Sequence, residues 1–467
     1  MTDHRLTHIG GEWVPAASGA VLESINPTTE EVLATFPDGD AADVDRAVAA
    51  TREAAPAWCG LGWRRRAVLL RELSARVADQ AEELARLDVR DSGNPLSGMR
   101  TDLSSTCDEI DYYAGLASQT GGTMSWTERE PYGVVGRIVP FNHPFKFATG
   151  KSAAPLTAGN AIVIKPGEQT SLSALELARI AAEVLPPGVL NVVTGRSVSV
   201  GAALVAHPDV PRIAFTGSVP TGRAVLHGAA EEIKHVSLEL GGKNPIVVFP
   251  DVDPVRAASA AVAGMNIARC TGQSCGSTSR LFVHDDVRDP FLEALVAQLS
   301  ELRLGDPMEE TTDIGPLAFR SHYERVMSHV ESGRRQGATL LRGGTRPVQM
   351  ERGFFVEPAV FTDVEDTMAI AREEIFGPVL SVLSWHDWDD VVTRANDTRL
   401  GLTANVWTND VSTAIRTARA LEAGYVYING SGRRPTGMPF GGWKSSGLGK
   451  EKLLSYTREK SVTVTLL

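Results

Sequence analysis

Four short runs rich in β-branched residues decide the fold: V-V-G-R-I-V at 134–139, I-V-I-K at 162–165, L-N-V-V at 190–193 and R-I-A-F at 212–215. Each run is followed by an amphipathic stretch with the spacing of a helix. Four helices are predicted. The first begins near Asn142 and the second spans 171–184, whereas the third begins after Gly201 and the fourth after Gly222. This β-α-β-α alternation is typical of a parallel sheet with helices on both faces.

A second series of the same kind begins after Leu240. Residues 245–249 and 281–283 are predicted strands, and residues 254–269 and 290–302 are predicted helices. The predicted fold class is therefore α/β, with two doubly wound parallel-sheet domains that meet near residue 240.

The composition is that of an ordinary globular protein. Of the 467 residues, 43% are hydrophobic and 22% are charged, and a chain of this length has room for about three domains. The formal net charge of −11 disfavours a nucleic-acid partner, which would favour a basic face. No apolar run approaches the ~18 residues that cross a bilayer, so we expect no membrane partner.

The cysteines predict a reducing compartment. Cys59, Cys107, Cys270 and Cys275 are too few for a disulfide framework in a chain of this length. Cys270 and Cys275 do not form a C-x-x-C pair, and no histidine neighbours them at ligand spacing, so we predict no metal site. The first residues lack the apolar segment of a secretory signal. A cytoplasmic location with reduced thiols is therefore expected.

Two segments fit neither predicted domain. Residues 121–132 are polar and helix-poor, and residues 461–467, S-V-T-V-T-L-L, have the alternation of a strand. An unpaired strand at a chain end promotes aggregation unless another strand pairs with it. A local linker and a frayed tail remain the alternative interpretation.

Three polar residues in separate motifs have the chemistry of covalent catalysis. Glu239 lies in L-E-L-G-G-K-N-P, Cys275 in G-Q-S-C and Asn142 in P-F-N-H-P. A thiol can attack a carbonyl, a carboxylate can activate the water that releases the product, and an amide can donate to an oxyanion. Cys275 lies among small polar residues, whereas Cys270 ends an apolar helix and is interpreted as structural.

These motifs, in this order, resemble those of the NAD(P)-dependent aldehyde dehydrogenase superfamily from about residue 9 to the last residue. The resemblance implies an NAD-binding domain formed by residues 1–120 and 133–240 and a catalytic domain at 241–438. It also implies an oligomerisation arm, formed by residues 121–132 and 439–467, that adds to the sheet of a neighbouring subunit. A homodimer or homotetramer is therefore expected.

The resemblance assigns roles to five catalytic residues. Cys275 attacks the aldehyde and carries a thioester, and Glu239 deprotonates the water that hydrolyses it. Asn142 and the Cys275 backbone N–H hold the oxyanion. Lys151 and Glu451 match a polar pair that carries protons away from the general base.

The cofactor signal rests on a turn and on the end of a neighbouring strand. The run T-G-S-V-P-T-G at 216–222 follows a strand and opens a helix, so its backbone N–H groups can face a phosphate. Any βα turn can hold two glycines, so this run alone leaves the question open. By resemblance, Ser218 contacts the pyrophosphate, and Lys165 and Glu168 address the adenosine ribose. Because Glu168 would repel a 2′-phosphate, NAD is favoured over NADP.

The nicotinamide end of the cofactor is assigned to E-E-I-F-G-P at 373–378. By resemblance, Glu374 binds the nicotinamide ribose and Phe376 forms an apolar wall, although a Phe-Gly-Pro turn at a strand start is the alternative. Phe141 stands where family members often have Trp, so an indole N–H is absent there. The other residues that the resemblance places at the cofactor are Val139, Pro140, Gly201, Phe215, Gly217, Leu240 and Gly241.

The predicted substrate pocket departs from the family pattern. Asn142, Lys146 and Gly150 recur at i, i+4 and i+8 on one helix face. In the family this face is usually bulky and apolar. Here Lys146 supplies a cation, and Gly150 is expected to leave a hole where a side chain would lie. The loop at 429–437 brings Arg433 and Arg434 to the tunnel mouth. Together these features predict a bulky or anionic aldehyde.

A solvated lysine and two surface arginines remain the alternative interpretation of those cations. The residues predicted to contact the substrate are His143, Lys146, Gly150, Ser274, Gly276, Arg434 and Phe440.

The sequence thus predicts an NAD-dependent aldehyde dehydrogenase. The two alternatives are acyl transfer to coenzyme A and a non-catalytic binding function. Acyl transfer to coenzyme A is disfavoured by the intact Glu239, because that chemistry needs no activated water. A non-catalytic binding protein on the same scaffold would be signalled by loss of Cys275, Asn142 or Glu239, and all three are present.

Overall fold

The computed structural model describes residues 3–117, 127–432 and 434–462, without the side chains of Asp3 and Ser197. Its strands are β1 (Asp3–His4), β2 (Thr7–Ile9), β3 (Glu12–Val14), β4 (Val21–Ile25), β5 (Val32–Pro37), β6 (Thr127–Pro131), β7 (Val134–Ile138), β8 (Ala161–Lys165), β9 (Leu190–Val192), β10 (Arg212–Thr216), β11 (His235–Glu239), β12 (Pro245–Val248), β13 (Arg280–His284), β14 (Thr339–Arg342), β15 (Ala359–Thr362), β16 (Val379–Trp385), β17 (Leu400–Gly401), β18 (Thr403–Trp407), β19 (Tyr425–Ile428), β20 (Trp443–Lys444), β21 (Gly447–Leu448) and β22 (Thr457–Ser461).

The helices follow the strands in alternation over most of the chain. They are α1 (Ala41–Gly60), α2 (Gly62–Asp79), α3 (Ala81–Ser92), α4 (Leu96–Gly115), α5 (Pro144–Ala158), α6 (Leu172–Ala182), α7 (Ala202–Ala206), α8 (Val219–Ala230), α9 (Pro254–Gly264), α10 (Ile267–Cys270), α11 (Arg288–Glu301), α12 (Arg320–Arg335), α13 (Ala369–Arg372), α14 (Trp388–Asn396) and α15 (Val411–Ala420). A π-helical turn precedes α7 (Ser197–Gly201), and 3-10 turns lie at Asp285–Val287 and Leu453–Tyr456.

The first large sheet has a doubly wound centre. Its strand order is β21-β11-β10-β7-β8-β9-β2-β3, and the five strands from β11 to β9 run parallel. Since β7 is the first of these in the chain, the order reverses between β7 and β10. Ligands of open α/β sheets bind at such a switch point, beyond the carboxyl ends of the strands.

The second large sheet is also mainly parallel, in the order β14-β15-β16-β13-β12-β18-β19. Strand β14 is antiparallel to its neighbour, and the other pairs are parallel. The predicted α/β class with two parallel sheets is confirmed. The central strands are buried on both faces, as expected for sheets covered by helices.

Three predicted helix boundaries are corrected by local chemistry. Helix α5 begins at Pro144 because proline fits the first helical position and disfavours helical geometry in the residue before it. The predicted helix at 254–269 breaks into α9 and α10 at Asn266, whose φ is 55°. Helix α8 begins at Val219 because Ser218 caps it.

The C-terminal segment returns to the body before it reaches the strand at its end. Strand β20 pairs with β17, and β21 pairs antiparallel with β11 of the first sheet. Strand β22 pairs with β6 along its whole length in a separate two-stranded ribbon. The predicted arm includes this ribbon, and its residues 121–126 and 463–467 lie outside the described residues. Across the described ranges, none of the helices has the length and apolarity required to span a bilayer.

Candidate active site

Cys275 lies in a tight loop between α10 and β13. Thr271 and Gly272 have positive φ angles of 53° and 74°, which turn the chain sharply after α10. Asn244 fixes the loop, because its Nδ2 donates to the carbonyl oxygens of Cys275 at 2.7 Å and of Ser277 at 2.9 Å. The thiol therefore has a defined position.

A cavity of about 660 Å³ has both Cys275 and Glu239 in its wall. Within the described chain, Cys275 is the single cysteine in that wall. The Cys270 side chain is fully buried, and burial raises its pKa to about 12. Burial also raises the pKa of Cys275, and Glu239 and Glu374 raise it further, so the resting group is a thiol.

Glu239 is the first member of a line of alternating charges. It ends β11, and its Oε2 accepts a hydrogen bond of 2.9 Å from Lys151 Nζ. Lys151 Nζ also lies 3.2 Å from Glu451 Oε2, and Arg137 Nη1 lies 2.8 Å from Glu451 Oε1. The line thus runs from the cavity to the buried guanidinium of Arg137 on β7.

The charges of this line stabilise one another. Burial by itself lowers the pKa of Lys151, but Glu239 and Glu451 outweigh burial and raise it above its ordinary value. Burial would raise the pKa of Glu451, but Arg137 and Lys151 hold it well below its usual range. Both Lys151 and Glu451 are therefore charged at neutral pH.

Sequence reasoning did not assign Arg137, although a signal was present. A strand buried on both faces rarely contains an arginine unless a buried carboxylate pairs with it. In V-V-G-R-I-V the arginine interrupts an apolar run, but the sequence does not show which carboxylate faces it. Its side chain is fully buried and also donates to Tyr456 Oη at 2.8 Å.

Asn142 is buried close to the Cys275 loop. Its side-chain Nδ2 donates to the backbone carbonyl oxygen of Gln273 at 2.7 Å. The backbone carbonyl oxygen of Asn142 accepts from Asn94 Nδ2 at 2.7 Å. An amide nitrogen has two hydrogens, so one donor remains after the bond to Gln273. Asn142 precedes α5 and is not among the residues that line the cavity in the described structure.

One face of α5 forms a wall of the cavity. The wall residues have helical spacing of three and four, and they are His143, Lys146, Phe147, Gly150, Lys151 and Ala154. Ser274, Gly276, Arg434 and Phe440 line the same cavity. All seven residues predicted to contact the substrate are thus brought together around Cys275.

The structure corrects the expectation that Gly150 leaves a hole. A Cβ at position 150 would lie 2.4 Å from Glu109 Oε2, so the carboxylate of Glu109 occupies the space that a side chain would take. Sequence reasoning missed Glu109, because a polar residue on α4 equally indicates a solvent-facing side. The cavity wall is therefore acidic here, not empty.

Lys146 is held in the wall and is not a freely solvated lysine. Its Nζ donates to Ser105 Oγ at 2.8 Å and lies 3.9 Å from Asp102 Oδ1, and 22% of the side chain is exposed. Burial lowers the pKa of Lys146. Arg434 is also held, since its guanidinium lies 4.2 Å from the centre of the Phe440 ring. Arg433 lies outside the described residues.

The residues predicted to bind the cofactor gather at the switch point of the first sheet. Val139, Pro140 and Phe141 follow β7, and Gly217 and Ser218 follow β10. Ser218 Oγ accepts from Thr221 N at 3.4 Å and caps α8, so the helix N-terminus faces the end of the sheet. A helix N-terminus in this place favours an anion.

The surroundings of this turn are shaped by two apolar side chains. A Cβ at Gly217 would lie 2.5 Å from the ring of Phe215, and a Cβ at Gly222 would lie 2.7 Å from Leu240. Both apolar side chains are buried and pack against the turn. Nothing lies within 4 Å of a Cβ placed at Gly201.

Lys165 ends β8 beside the same switch point and is buried, with 1% of its surface exposed. Burial lowers its pKa to about 8, while Glu168 opposes this shift. The pair therefore presents an ammonium and a carboxylate next to each other, and both groups can hydrogen-bond hydroxyls.

Glu374, which is predicted to bind the cofactor, contacts the two glycines that follow β11. Its Oε1 accepts from Gly242 N at 3.0 Å, and a Cβ at Gly241 would lie 1.9 Å from its Oε2. The glycine thus lets this carboxylate reach the end of β11. Burial raises the pKa of Glu374 to about 7.

Phe141 packs against other aromatic rings at the switch point. Its ring centre lies 5.6 Å from that of Phe376 and 5.0 Å from that of Phe319, with edge-to-face geometry in both pairs. Phe376 has a φ of 60°. The predicted apolar wall is thus part of an aromatic cluster.

Comparison with known proteins connects this site to a family. The sequence model of the "Aldehyde dehydrogenase family" matches residues 13–465. A hydroxyisobutyraldehyde dehydrogenase of Mycolicibacterium austroafricanum is 44% identical, with 99% of this chain and 94% of that protein covered.

Solved structures of similar proteins agree over nearly the whole chain. The NAD+ complex of an aldehyde dehydrogenase from Bacillus cereus superimposes with a TM-score of 0.96 at 40% identity, covering 100% of this chain and 97% of that one. An NAD-dependent aldehyde dehydrogenase from Sinorhizobium meliloti has a TM-score of 0.96 at 38% identity, covering 99% and 95% of the two chains.

Proposed function

The chain belongs to the aldehyde dehydrogenase family, and from that premise we propose that it oxidises an aldehyde to a carboxylic acid with NAD. One observation carries this proposal. Cys275 and Glu239 share the wall of one cavity, and Glu239 is the end of the charged line through Lys151 and Glu451.

The first step forms a covalent bond to the thiol. Cys275 Sγ adds to the aldehyde carbon, and the thiol loses its proton to solvent. The carbonyl oxygen becomes an oxyanion. The free amide hydrogen of Asn142 and the backbone N–H of Cys275 donate to that oxygen.

The second step leaves a thioester on Cys275 and then releases the acid. When bound, NAD supplies the acceptor for the hydride that leaves the substrate carbon. Glu239 then removes a proton from a water molecule, which adds to the thioester carbon and expels the thiolate of Cys275. The proton moves away from Glu239 through the polar pair of Lys151 and Glu451.

The residues at the switch point have the chemistry that NAD requires. The N-terminus of α8 faces a phosphate, Lys165 and Glu168 bind the hydroxyls of one ribose, and Glu374 binds the hydroxyls of the other. The close approach of Glu374 to Gly241 supports this role. The carboxylate of Glu168 would repel a 2′-phosphate, so NAD is preferred over NADP.

The substrate is a bulky or anionic aldehyde with an oxygen beyond its carbonyl group. The volume of about 660 Å³ accommodates a branched chain or a ring. Lys146 and Arg434 are positioned to bind a carboxylate or a hydroxyl. Glu109 adds an acceptor on the same wall, which favours groups that also donate a hydrogen bond.

We further propose a homodimer or homotetramer in the cytoplasm. The two-stranded ribbon of β6 and β22 has an unpaired edge that a neighbouring sheet can cover. The four cysteines are free thiols, which supports a reducing compartment.

The test is the formation of NADH with a panel of aldehydes, with identification of the product. The expected result is a carboxylic acid formed without coenzyme A, with a higher kcat/KM for NAD than for NADP. Absence of NADH with every aldehyde would reject the oxidoreductase function. Turnover that requires coenzyme A would identify the acyl-transfer alternative.

A further inference from the structure

A buried histidine–carboxylate pair lies in the wall of the substrate cavity. His143 immediately follows Asn142 and is 6% exposed. Its Nδ1 lies 2.5 Å from Asp102 Oδ2, and Asp102 is 1% exposed.

The surroundings fix the charges of the pair. Asp102 also forms an ion pair with Arg269, and Lys146 lies 3.9 Å away. Burial would raise the pKa of Asp102, but the hydrogen bond from His143 and the charges of Arg269 and Lys146 hold it below its usual range, so the carboxylate is ionised. Burial lowers the pKa of His143 and outweighs the opposing effect of Asp102, so the imidazole is neutral.

These charges determine the tautomer of His143. A neutral imidazole has one N–H, and the ionised Asp102 accepts it from Nδ1. Nε2 then carries a lone pair and can only accept. In the described part of the chain the bond to Asp102 is the ring's single hydrogen bond, and Nε2 is not among the fully buried polar atoms without a partner. Because His143 lines the cavity, its acceptor is available to a bound molecule.

The position along the chain places His143 next to Asn142, the proposed donor to the oxyanion. Cys275 lies in the wall of the same cavity as His143. A carboxylate would place an acceptor against the lone pair, whereas a hydroxyl donates to it.

We propose that His143, oriented by Asp102, recognises a hydroxyl group near the carbonyl end of the aldehyde, so that the enzyme selects hydroxylated aldehydes over methylated aldehydes of the same size. The inference rests on the proposed function and narrows its substrate class. The hydroxyl donates its proton to Nε2, and Lys146, one turn further along α5, is placed to donate to the hydroxyl oxygen. Asp102 does not touch the substrate and is a positioning residue.

The experiment uses aldehydes that differ only by a hydroxyl and a methyl group. The first pair is 2-hydroxy-2-methylpropanal and 2,2-dimethylpropanal, and the second pair is 2-hydroxypropanal and 2-methylpropanal. We measure kcat and KM with NAD for each. The wild-type kcat/KM is expected to favour the hydroxylated member by roughly ten- to hundred-fold, because the methyl analogue leaves a desolvated acceptor unpaired.

Three variants separate recognition from folding. His143→Phe is expected to lower kcat/KM for the hydroxylated aldehydes by a larger factor than for the methyl analogues, so that the preference is lost. His143→Gln retains an acceptor oxygen and is expected to keep part of the preference. Asp102→Asn removes the charge that fixes the tautomer and is expected to reduce the preference through a higher KM for hydroxylated aldehydes alone.

The outcomes distinguish this inference from the proposed function. If the wild type produces NADH with neither member of either pair nor with any other aldehyde, the proposed function fails. If it oxidises both members of each pair equally, the inference is overturned and the proposed function stands. A His143→Phe variant that loses activity on both members by the same factor would also overturn the inference, because a structural role has that effect.

Discussion

Cys270 and Cys275 belong to one short segment, yet their thiols have different surroundings. The Cys270 side chain is fully buried, and its Sγ lies 3.7 Å from the carbonyl oxygen of Asn266. Cys275 lies at the cavity with Glu239 and Glu374 close enough to affect its pKa. A difference in position, not in residue type, therefore separates the packing residue Cys270 from the proposed nucleophile Cys275.

Replacing Cys275 by Ala is expected to lower aldehyde oxidation by roughly 10⁴–10⁶-fold, since no covalent intermediate can form. Cys270→Ala serves as the matched control and is expected to keep most of the activity. The measurement is kcat for NADH formation. An inactive Cys270 variant beside an active Cys275 variant would reverse the assignment.

Glu239→Gln is expected to stall the reaction after hydride transfer. The amide keeps an oxygen that can accept from Lys151, but it cannot deprotonate water. Stopped-flow measurement is expected to show a burst of NADH followed by slow turnover. A burst that is lost in proportion to the steady-state rate would place Glu239 in an earlier step.

Glu374 is expected to make NAD binding dependent on pH. Its pKa is raised to about 7, so the carboxyl is mostly protonated at about pH 6 and becomes ionised as the pH rises. The ionised form accepts hydrogen bonds from ribose hydroxyls, so the Kd for NAD is expected to fall by up to about tenfold between about pH 6 and pH 8. In Glu374→Gln this fall in the Kd for NAD should disappear, and an unchanged pH dependence would assign it to another group.

At the scale of elements, α4 packs against the described residues of the loop at 429–437 beside the cavity. Gly437 of the loop packs against Tyr112 of α4, where a Cβ would lie 2.1 Å from the ring, and its φ is +85°. Both elements contribute residues to the cavity wall, including Glu109 and Arg434. The contact therefore sets how far the loop stands from the helix.

Gly437→Ala is expected to displace the loop and raise KM for the aldehyde by roughly tenfold, equivalent to ~1.4 kcal/mol, with little change in Kd for NAD. Gly432→Ala is the matched control. It has a similar φ of +73°, but the nearest atom, Asn266 Oδ1, is 4.0 Å away. If both variants raise KM equally, backbone strain and not the contact with Tyr112 is responsible.

At the scale of the whole molecule, the ribbon of β6 and β22 stands apart from both large sheets. Ion pairs join its strands, between Arg129 and Glu459 and between Glu130 and Lys460. A two-stranded ribbon is marginally stable alone in water. Pairing with a neighbouring subunit, as in the proposed homodimer or homotetramer, would stabilise it.

Removing residues 457–467 is expected to shift the protein to a smaller species in sedimentation velocity experiments, because the strand that joins the neighbouring subunit is lost. Circular dichroism and thermal unfolding of the same sample test whether each subunit remains folded. A folded truncated protein that sediments like the wild type would remove the ribbon from the assembly interface.

The sequence alone determined the fold class and the catalytic motifs. Alternating β-branched runs and amphipathic stretches specify a parallel sheet because strand and helix periodicities are local properties. The motifs of Cys275, Glu239 and Asn142 are also local, and family membership, confirmed by the comparisons, follows from them. The roles assigned to these residues stay predictions that the experiments above test.

Only the tertiary structure decided how distant residues meet. The pairing of Arg137 with Glu451 joins β7 to the C-terminal segment, and the pairing of Asp102 with His143 joins α4 to the start of α5. The sequence predicts a hole at Gly150 because the side chain that fills it, Glu109, lies on another helix. Such contacts depend on how helices pack against each other. The spacing of residues within one segment does not show which residue of another segment faces them.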